Sequence, residues 1–208
     1  MPRPAQNEEQ REVVRRRILV AAQELFDSAG IEAVSMRGLG AKVGLTASAL
    51  YAYFPAKIDL LRAFWWDALD QMHARMEVLS REERDPIAAI RALGRAYVDF
   101  ALENPARFRV VFMVDQGALA AEFRSAGVYH DSYRLFRQRV AEAIEQGRLR
   151  VTNPELAAQA LWAGVHGTLT LPNSSASFPF EAPAKIADLV VEALLAGMAA
   201  NPNERSQS

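Results

Sequence analysis

Residues 35–54, SMRGLGAKVGLTASALYAYF, constrain this chain more than any other stretch. The pattern predicts two short helices joined by a tight turn. Ser35 is placed to cap the first, whose apolar face is Met36, Leu39 and Val43 at steps of three and four. Gly44 follows the last apolar turn, where a glycine can take the left-handed conformation that ends a helix. Leu45 packs in the turn, and Thr46 caps a second helix with Ala49, Leu50 and Tyr53–Phe54 on its apolar side. Two helices around a glycine-containing turn, the second with small exposed side chains, make a helix-turn-helix. Such a unit reads DNA by laying its second helix in the major groove.

The rest of the chain is read for what it adds to that unit. Its 208 residues leave room for one large domain or two small ones. Half of them are hydrophobic, yet no uncharged apolar run reaches the ~18–20 residues of a membrane span. The start is polar, so a soluble, cytoplasmic chain without a signal peptide is expected, with no membrane partner. There are no cysteines, so disulfides and thiolate metal sites are excluded. Net charge is −1, but it is unevenly spread. Residues 1–62 carry nine Lys/Arg against seven Asp/Glu, and the remainder fifteen against eighteen. The sign suits an N-terminal nucleic-acid part.

No strand-like alternation of useful length is present, so the expected class is all-α. Residues 1–6 and 201–208 read as disordered tails. Asn7-Glu-Glu-Gln10 reads as a capping box opening a helix to about Ala29, with Val14, Ile18, Ala21, Leu25 and Ala29 as its buried stripe. Arg15, Arg16 and Arg17 near its start are either a solvated face or phosphate contacts. After Pro55 a long helix from Lys57 to about Leu79 carries the stripe Leu61, Trp65, Leu69, Met72, Met76 and Leu79. It spans about 30 Å at 1.5 Å per residue, long enough to couple two sites.

One device recurs downstream: Asp85-Pro86, Asn104-Pro105 and Asn153-Pro154. The Asx side chain accepts from an orphan amide, and proline fits the first helical position because its missing donor is not needed there. Helices are expected at about 86–102, 105–114 and 154–171. Between the last two lies a segment from 117 to 146, broken near Gly127, with Tyr129, Tyr133, Phe136, Val140 and Ile144 on one face. A Pro/Ser-rich loop over 172–183 precedes a final helix to about Ala200. Helices 154–171 and 183–200 are apolar on nearly every side, which requires burial from two directions. A second copy of the chain is one source of that burial, and the chain's own core is the other. Leu161, Gly164, Val190, Leu194 and Gly197 are the candidate interface residues, although Gly164 and Gly167 equally suit close approach of a neighbouring helix.

Ile18, Ala21-Ala22, Leu25-Phe26, Gly30, Ser35, Leu39, Val43-Gly44-Leu45-Thr46, Leu50-Tyr51, Phe54, Lys57 and Leu60-Leu61 together resemble the tetracycline-repressor family of bacterial regulators. The resemblance covers roughly residues 12–72 without a gap. Asn104-Pro105-Ala-Arg-Phe108 and Trp162-x-x-x-His166-Gly167 resemble the subgroup whose ligand domain is named for a Trp-His-Gly signature. The family implies an N-terminal three-helix DNA-binding domain (12–72, helix-turn-helix 35–54) and a C-terminal ligand-binding and dimerisation domain (84–200). It implies a homodimer whose recognition helices lie about one DNA turn apart, ~34–36 Å, on a palindromic double-stranded operator. It further implies release of DNA by a small molecule.

The hydroxyl of Thr46, besides capping, can reach a phosphate; in the resemblance Tyr51 and Lys57 are phosphate-binding positions, and Tyr53 either adds a contact or packs. Base reading falls to Arg37, whose fork suits guanine O6 and N7, and to Ala47, Ser48 and Ala49. Many relatives place a longer polar residue at position 47. Two alanines reach only thymine methyls, so phosphates and DNA shape are expected to supply much of the specificity. The candidate effector pocket is Trp65, Phe100, Phe108, Phe112, Tyr133, Trp162 and His166, for an apolar or aromatic compound. Each of these could instead be core, and a single histidine there could be a structural, hydrogen-bonded residue. His73, His130 and His166 lie in different segments and show no metal-ligand spacing. No phosphate loop or nucleophile motif is present, so no catalytic residue, metal or cofactor is expected. A helical binding protein or enzyme that keeps the fold without binding an operator is the alternative.

Overall fold

The computed structural model describes residues 8–30, 33–112, 131–174 and 177–200. Gln6, Asn7, Gly127, Tyr129, His130 and the tail from Asn201 lie outside the described residues, and with them the expected capping box, the break at Gly127 and both disordered tails. Among the described residues the fold is all-α, with nine helices and no strand. They are α1 (Glu8–Ala29), α2 (Met36–Lys42), α3 (Ala47–Tyr51), α4 (Lys57–Glu82), α5 (Pro86–Glu103), α6 (Pro105–Phe112), α7 (Asp131–Glu145), α8 (Pro154–Ser174) and α9 (Pro183–Met198).

Two compact units result. The first holds Met1–Leu69 and Asn104–Asp115, and the second Asp70–Glu103 and Gln116–Ser208. Thus α4 contributes to both, and α6 is built into the N-terminal unit although it lies far along the sequence.

In the first unit α1 buries Ile18, Leu19, Ala21, Ala22 and Phe26. The expected stripe is corrected at its C-terminal end, where Ala29 is exposed and Phe26 takes the buried place. At 100° per residue Ala29 lies only about 20° from Ile18 around the helix, so phase does not expose it; it is the last residue of α1, where the helix runs past its core. Phe26 meets Phe64 of α4 edge-on, with ring centres 5.1 Å apart.

In the second unit the Asx-Pro device caps as expected at two sites. Asp85 Oδ1 accepts from the Ile87 amide at 3.3 Å, and Asn153 Oδ1 accepts from Glu155 and Leu156 at 3.0 and 3.1 Å. Helix α8 does not stop at Leu171 but runs through Pro172 to Ser174. Proline this close to a C-terminus removes only one late ladder bond, a loss the final turn tolerates better than the interior would. Helices α8 and α9 approach closely at Gly164, where a Cβ would stand 2.7 Å from Val190 Cγ1 and 3.2 Å from Leu194 Cδ1. Arg91 of α5 forks onto Glu192 of α9 at 2.6 and 2.9 Å, and Arg95 reaches Asp188 at 2.8 Å. These exposed pairs orient the helices more than they stabilise them.

Candidate nucleic-acid interface

The two short helices are set by local chemistry. Ser35 Oγ accepts from the Gly38 amide at 3.1 Å and Thr46 Oγ1 from the Ala49 amide at 3.1 Å, so both N-caps form. Gly44 has φ +69°, which ends α2 in the left-handed region. The turn also needs Gly40, which the sequence pattern does not single out. A Cβ there would lie 2.9 Å from the Leu45 carbonyl oxygen, whose residue donates its own amide to Gly40 O at 2.8 Å. Met36, Leu39, Leu50 and Phe54 are buried beneath. The opposite side is left to solvent.

That side contains the proposed DNA contacts. Arg37, Thr46, Ala47, Ser48 and Tyr51 are exposed, Tyr51 at 46%, while Ala49, Tyr53 and Lys57 are half-buried. Residues 33–58 include no Asp or Glu, so every formal charge in this stretch is positive: Arg37, Lys42 and Lys57. Helix α3 ends at Tyr51, so Tyr53 and Phe54 lie beyond it rather than on its apolar side. Tyr53 lies under the Arg11 guanidinium, 5.9 Å from the ring centre.

The arginines of α1 brace the unit. Arg11 Nη2 donates to Ala52 O at 3.2 Å and Arg17 Nη2 to Val43 O at 3.3 Å, each at the C-terminal end of a helix where a cation is favoured. Arg15 lies over Phe54 at 5.3 Å. Lys42 pairs with Glu24 at 2.9 Å.

The aromatic candidates divide between the units. Trp65, Phe108 and Phe112 belong to the first, where Phe108 and Phe112 are 5.0 Å apart and Trp65 and Phe108 are buried. Phe100, Tyr133, Trp162 and His166 belong to the second. Here the structure adds Tyr97, whose hydroxyl lies 2.7 Å from His166 Nδ1. Tyr97 sits one turn before Phe100, the signal by which it could have been found. The ring of Trp162 is 5.9 Å from His166 and 5.7 Å from Tyr133. Tyr133 O–H donates to Glu155 Oε1 at 2.6 Å, and Arg137 Nε to Glu155 Oε2 at 2.6 Å. Burial, with the Glu155 bond second, pushes the Tyr133 phenol up to about 12. Burial lowers the His166 imidazole, which favours the neutral ring. In the Nε2–H tautomer, Tyr97 donates to Nδ1. This cluster offers flat apolar faces with polar tips.

Of the candidate interface residues, Leu161 is 1% exposed within its own chain. Gly164 lies against Val190 and Leu194, which are half-buried. Gly197 is exposed. No group of three or more His, Cys, Asp or Glu able to hold a metal occurs among the described residues, and no described helix is long and apolar enough to cross a membrane.

Comparison with known proteins finds two family models. Residues 18–64 match the model described as bacterial regulatory proteins, tetR family, and residues 90–198 that described as tetracyclin repressor-like, C-terminal domain. The nucleoid occlusion factor SlmA of Edwardsiella ictaluri (strain 93-146) is 25% identical over 129 residues, 62% of this chain. The match spans 64% of that relative's length. The crystal structure of the TetR family transcriptional regulator PfmR from Thermus thermophilus superposes with TM-score 0.67 at 26% identity, covering 86% of this chain and 97% of that one. A SmeT–triclosan complex superposes with TM-score 0.69 at 22% identity, covering 91% and 93%.

Proposed function

The chain belongs to the tetracycline-repressor family of bacterial regulators, and from that premise we propose that it is a repressor released from its operator by a small hydrophobic or aromatic effector. The observation that carries the DNA-binding part is the capped α2–α3 pair. It leaves Arg37, Thr46, Ala47, Ser48 and Tyr51 on one exposed side in a stretch free of acidic residues. Thr46, Tyr51 and Lys57 hold phosphates, Arg37 reads a guanine edge, and Ala47, Ser48 and Ala49 let the backbone come close to the groove.

The reading includes a homodimer on a palindromic site. Helix α8 exposes Leu156 at 66%, and α9 exposes Leu189 at 70%, next in sequence to the half-buried Val190. Two large apolar side chains left in water on neighbouring helices favour a covering partner, and a second copy gives closed two-fold symmetry. Leu161 then supports the interface from beneath. The effector is placed among Tyr97, Tyr133, Trp162 and His166, whose ring faces suit an aromatic compound and whose hydroxyl and imidazole suit a polar substituent. The complex of SmeT with triclosan supports this choice of ligand class.

Sequencing the genomic DNA fragments that the protein retains tests the proposal. A shared palindromic sequence is expected, bound by two chains. Fragments without a common sequence would overturn operator recognition. Compounds that raise the melting temperature and detach the retained DNA identify the effector; an aromatic library in which no compound does both contradicts the induction mechanism.

A further inference from the structure

Helix α1 buries one side in the first unit and leaves the other to solvent. The exposed side carries Glu9, Val13, Arg16, Arg17 and Val20, with Val13 67% exposed and Val20 51%. Single apolar side chains in water need no explanation, but Val13 stands inside an ordered charge pattern. At 100° per residue, Glu9 and Arg16 lie about 40° and about 60° to the same side of it. They are two turns apart, about 10.5 Å along the axis, with Val13 between them. Gln10 and Arg17 flank Val13 on its other side in the same way.

The neighbouring charges are satisfied locally. Arg17 donates to Val43 O, Arg15 pairs with Glu12 at 3.7 Å, and Glu24 pairs with Lys42 at 2.9 Å. Glu9 and Arg16 form no ion pair among the described residues. Residues three or four apart meet on a helix surface, so a pair seven apart is not placed to close on itself. Each of these two side chains is left with an opposite charge to find elsewhere.

A second copy of α1 supplies it. An antiparallel copy related by a two-fold axis beside Val13 reverses the chain direction but keeps every residue on its own side of the contact. Glu9 then meets Arg16 of the second copy, and Arg16 meets Glu9 of the second copy. Val13 meets its own counterpart at the centre, and Gln10 meets Arg17 on the far flank. A parallel arrangement instead sets Glu9 level with Glu9 and Arg16 level with Arg16, which like charge disfavours. The face is thus complementary to itself in one direction only.

Such a contact is small. One apolar pair between exposed ion pairs falls well short of the roughly 1,200 Å² at which stable interfaces begin. It does not hold copies together in free solution. On DNA the balance changes, because two molecules tethered side by side face each other at roughly millimolar effective concentration.

We propose that the exposed face of α1 is a docking surface for α1 of a second copy, antiparallel about Val13, through which dimers on neighbouring operators bind cooperatively. The inference rests on the operator reading above and adds a partner beyond the α8–α9 dimer. The probes are duplexes carrying one or two copies of the retained sequence, the two-copy series spaced in single base-pair steps over one helical turn. The readout is the ratio of two-copy to one-copy affinity per site for each protein, in which any direct effect of a variant on phosphate contact cancels.

The native ratio should reach about 5-fold or more at one spacing, the low end of ordinary coupling, and fall away half a turn from it. Glu9→Arg and Arg16→Glu should each abolish the effect. Glu9→Arg/Arg16→Glu exchanges the two charges and should restore it, which a general change in charge near DNA would not do. Independent binding at every spacing overturns the proposal, as do single variants that keep the native ratio or a double variant that fails to regain it. A native protein that retains no common sequence overturns the operator reading, and the proposal falls with it.

Discussion

Helices α2 and α3 have seven and five residues, whereas α8 and α9 have 21 and 16. The first pair is too short to persist alone in water, where isolated helices need about 12–15 residues even to be marginal. It is held by hydrogen bonds between residues a few positions apart: Ser35 to Gly38, Thr46 to Ala49, Leu45 to Gly40. The second pair is held by apolar burial between residues far apart in sequence, with Gly164 against Val190 and Leu194. The exposed surface of the short pair is thus built from local geometry, and the longer pair from packing, which can rearrange. The contrast predicts different responses to mutation.

The largest effect is expected at Leu161, buried in the second unit. Leu161→Ala leaves a cavity that its surroundings refill only in part, and should cost about 2–5 kcal/mol in denaturant unfolding. A loss below about 1 kcal/mol would show that the α8–α9 region is already loosely packed. Next is Gly40→Ala, whose Cβ meets a backbone oxygen that cannot easily yield. We expect about 1–3 kcal/mol of destabilisation and a matching loss of operator affinity. Unchanged affinity would break the claim that local turn geometry sets the reading surface.

Arg37→Ala sharpens the same side of the comparison. It should leave the melting temperature alone and cost about 1–3 kcal/mol of preference for operator over mismatched DNA. Equal losses on both DNAs would assign Arg37 to the phosphate backbone. The smallest effect concerns His166. Its imidazole has an ordinary value of 6.5, lowered in the fold by burial, so the unfolded chain binds the proton more readily. This contribution to stability is complete above 6.5 and is lost as pH falls below it toward the lowered folded value. Melting curves from about pH 7.5 to about pH 5 should therefore show a downward slope that His166→Asn reduces. Identical slopes in both proteins would remove His166 from the account.

The same contrast explains what could be read in the sequence. Caps are written within three residues of the helices they serve, so Ser35, Thr46, Asp85 and Asn153 announce their helices directly. A helical period places a stripe but cannot say how far along the helix the core extends, hence Ala29 in solvent at the end of α1 and Phe26 buried before it. Pro172 signals an end, yet the final turn of α8 absorbs it. Pairings across long separations carry no local signal. Tyr97 and His166 are 69 positions apart and Arg107 and Gln23 are 84 apart, and neither pair could be found from spacing alone. For the same reason one list of aromatics divides between two units. Gly40 is intermediate: a glycine inside a helix signals close approach, without naming Leu45 O as the atom approached.

A hydroxyl-radical footprint of the native protein on a retained genomic fragment tests the central claim most directly. Two α2–α3 surfaces related by a two-fold axis predict two protected stretches on one face of the duplex, with half-site centres about 10–10.5 base pairs apart or a whole multiple of that spacing. A single protected stretch, or uniform protection along the fragment, would contradict a symmetric pair of helix-turn-helix units reading an operator.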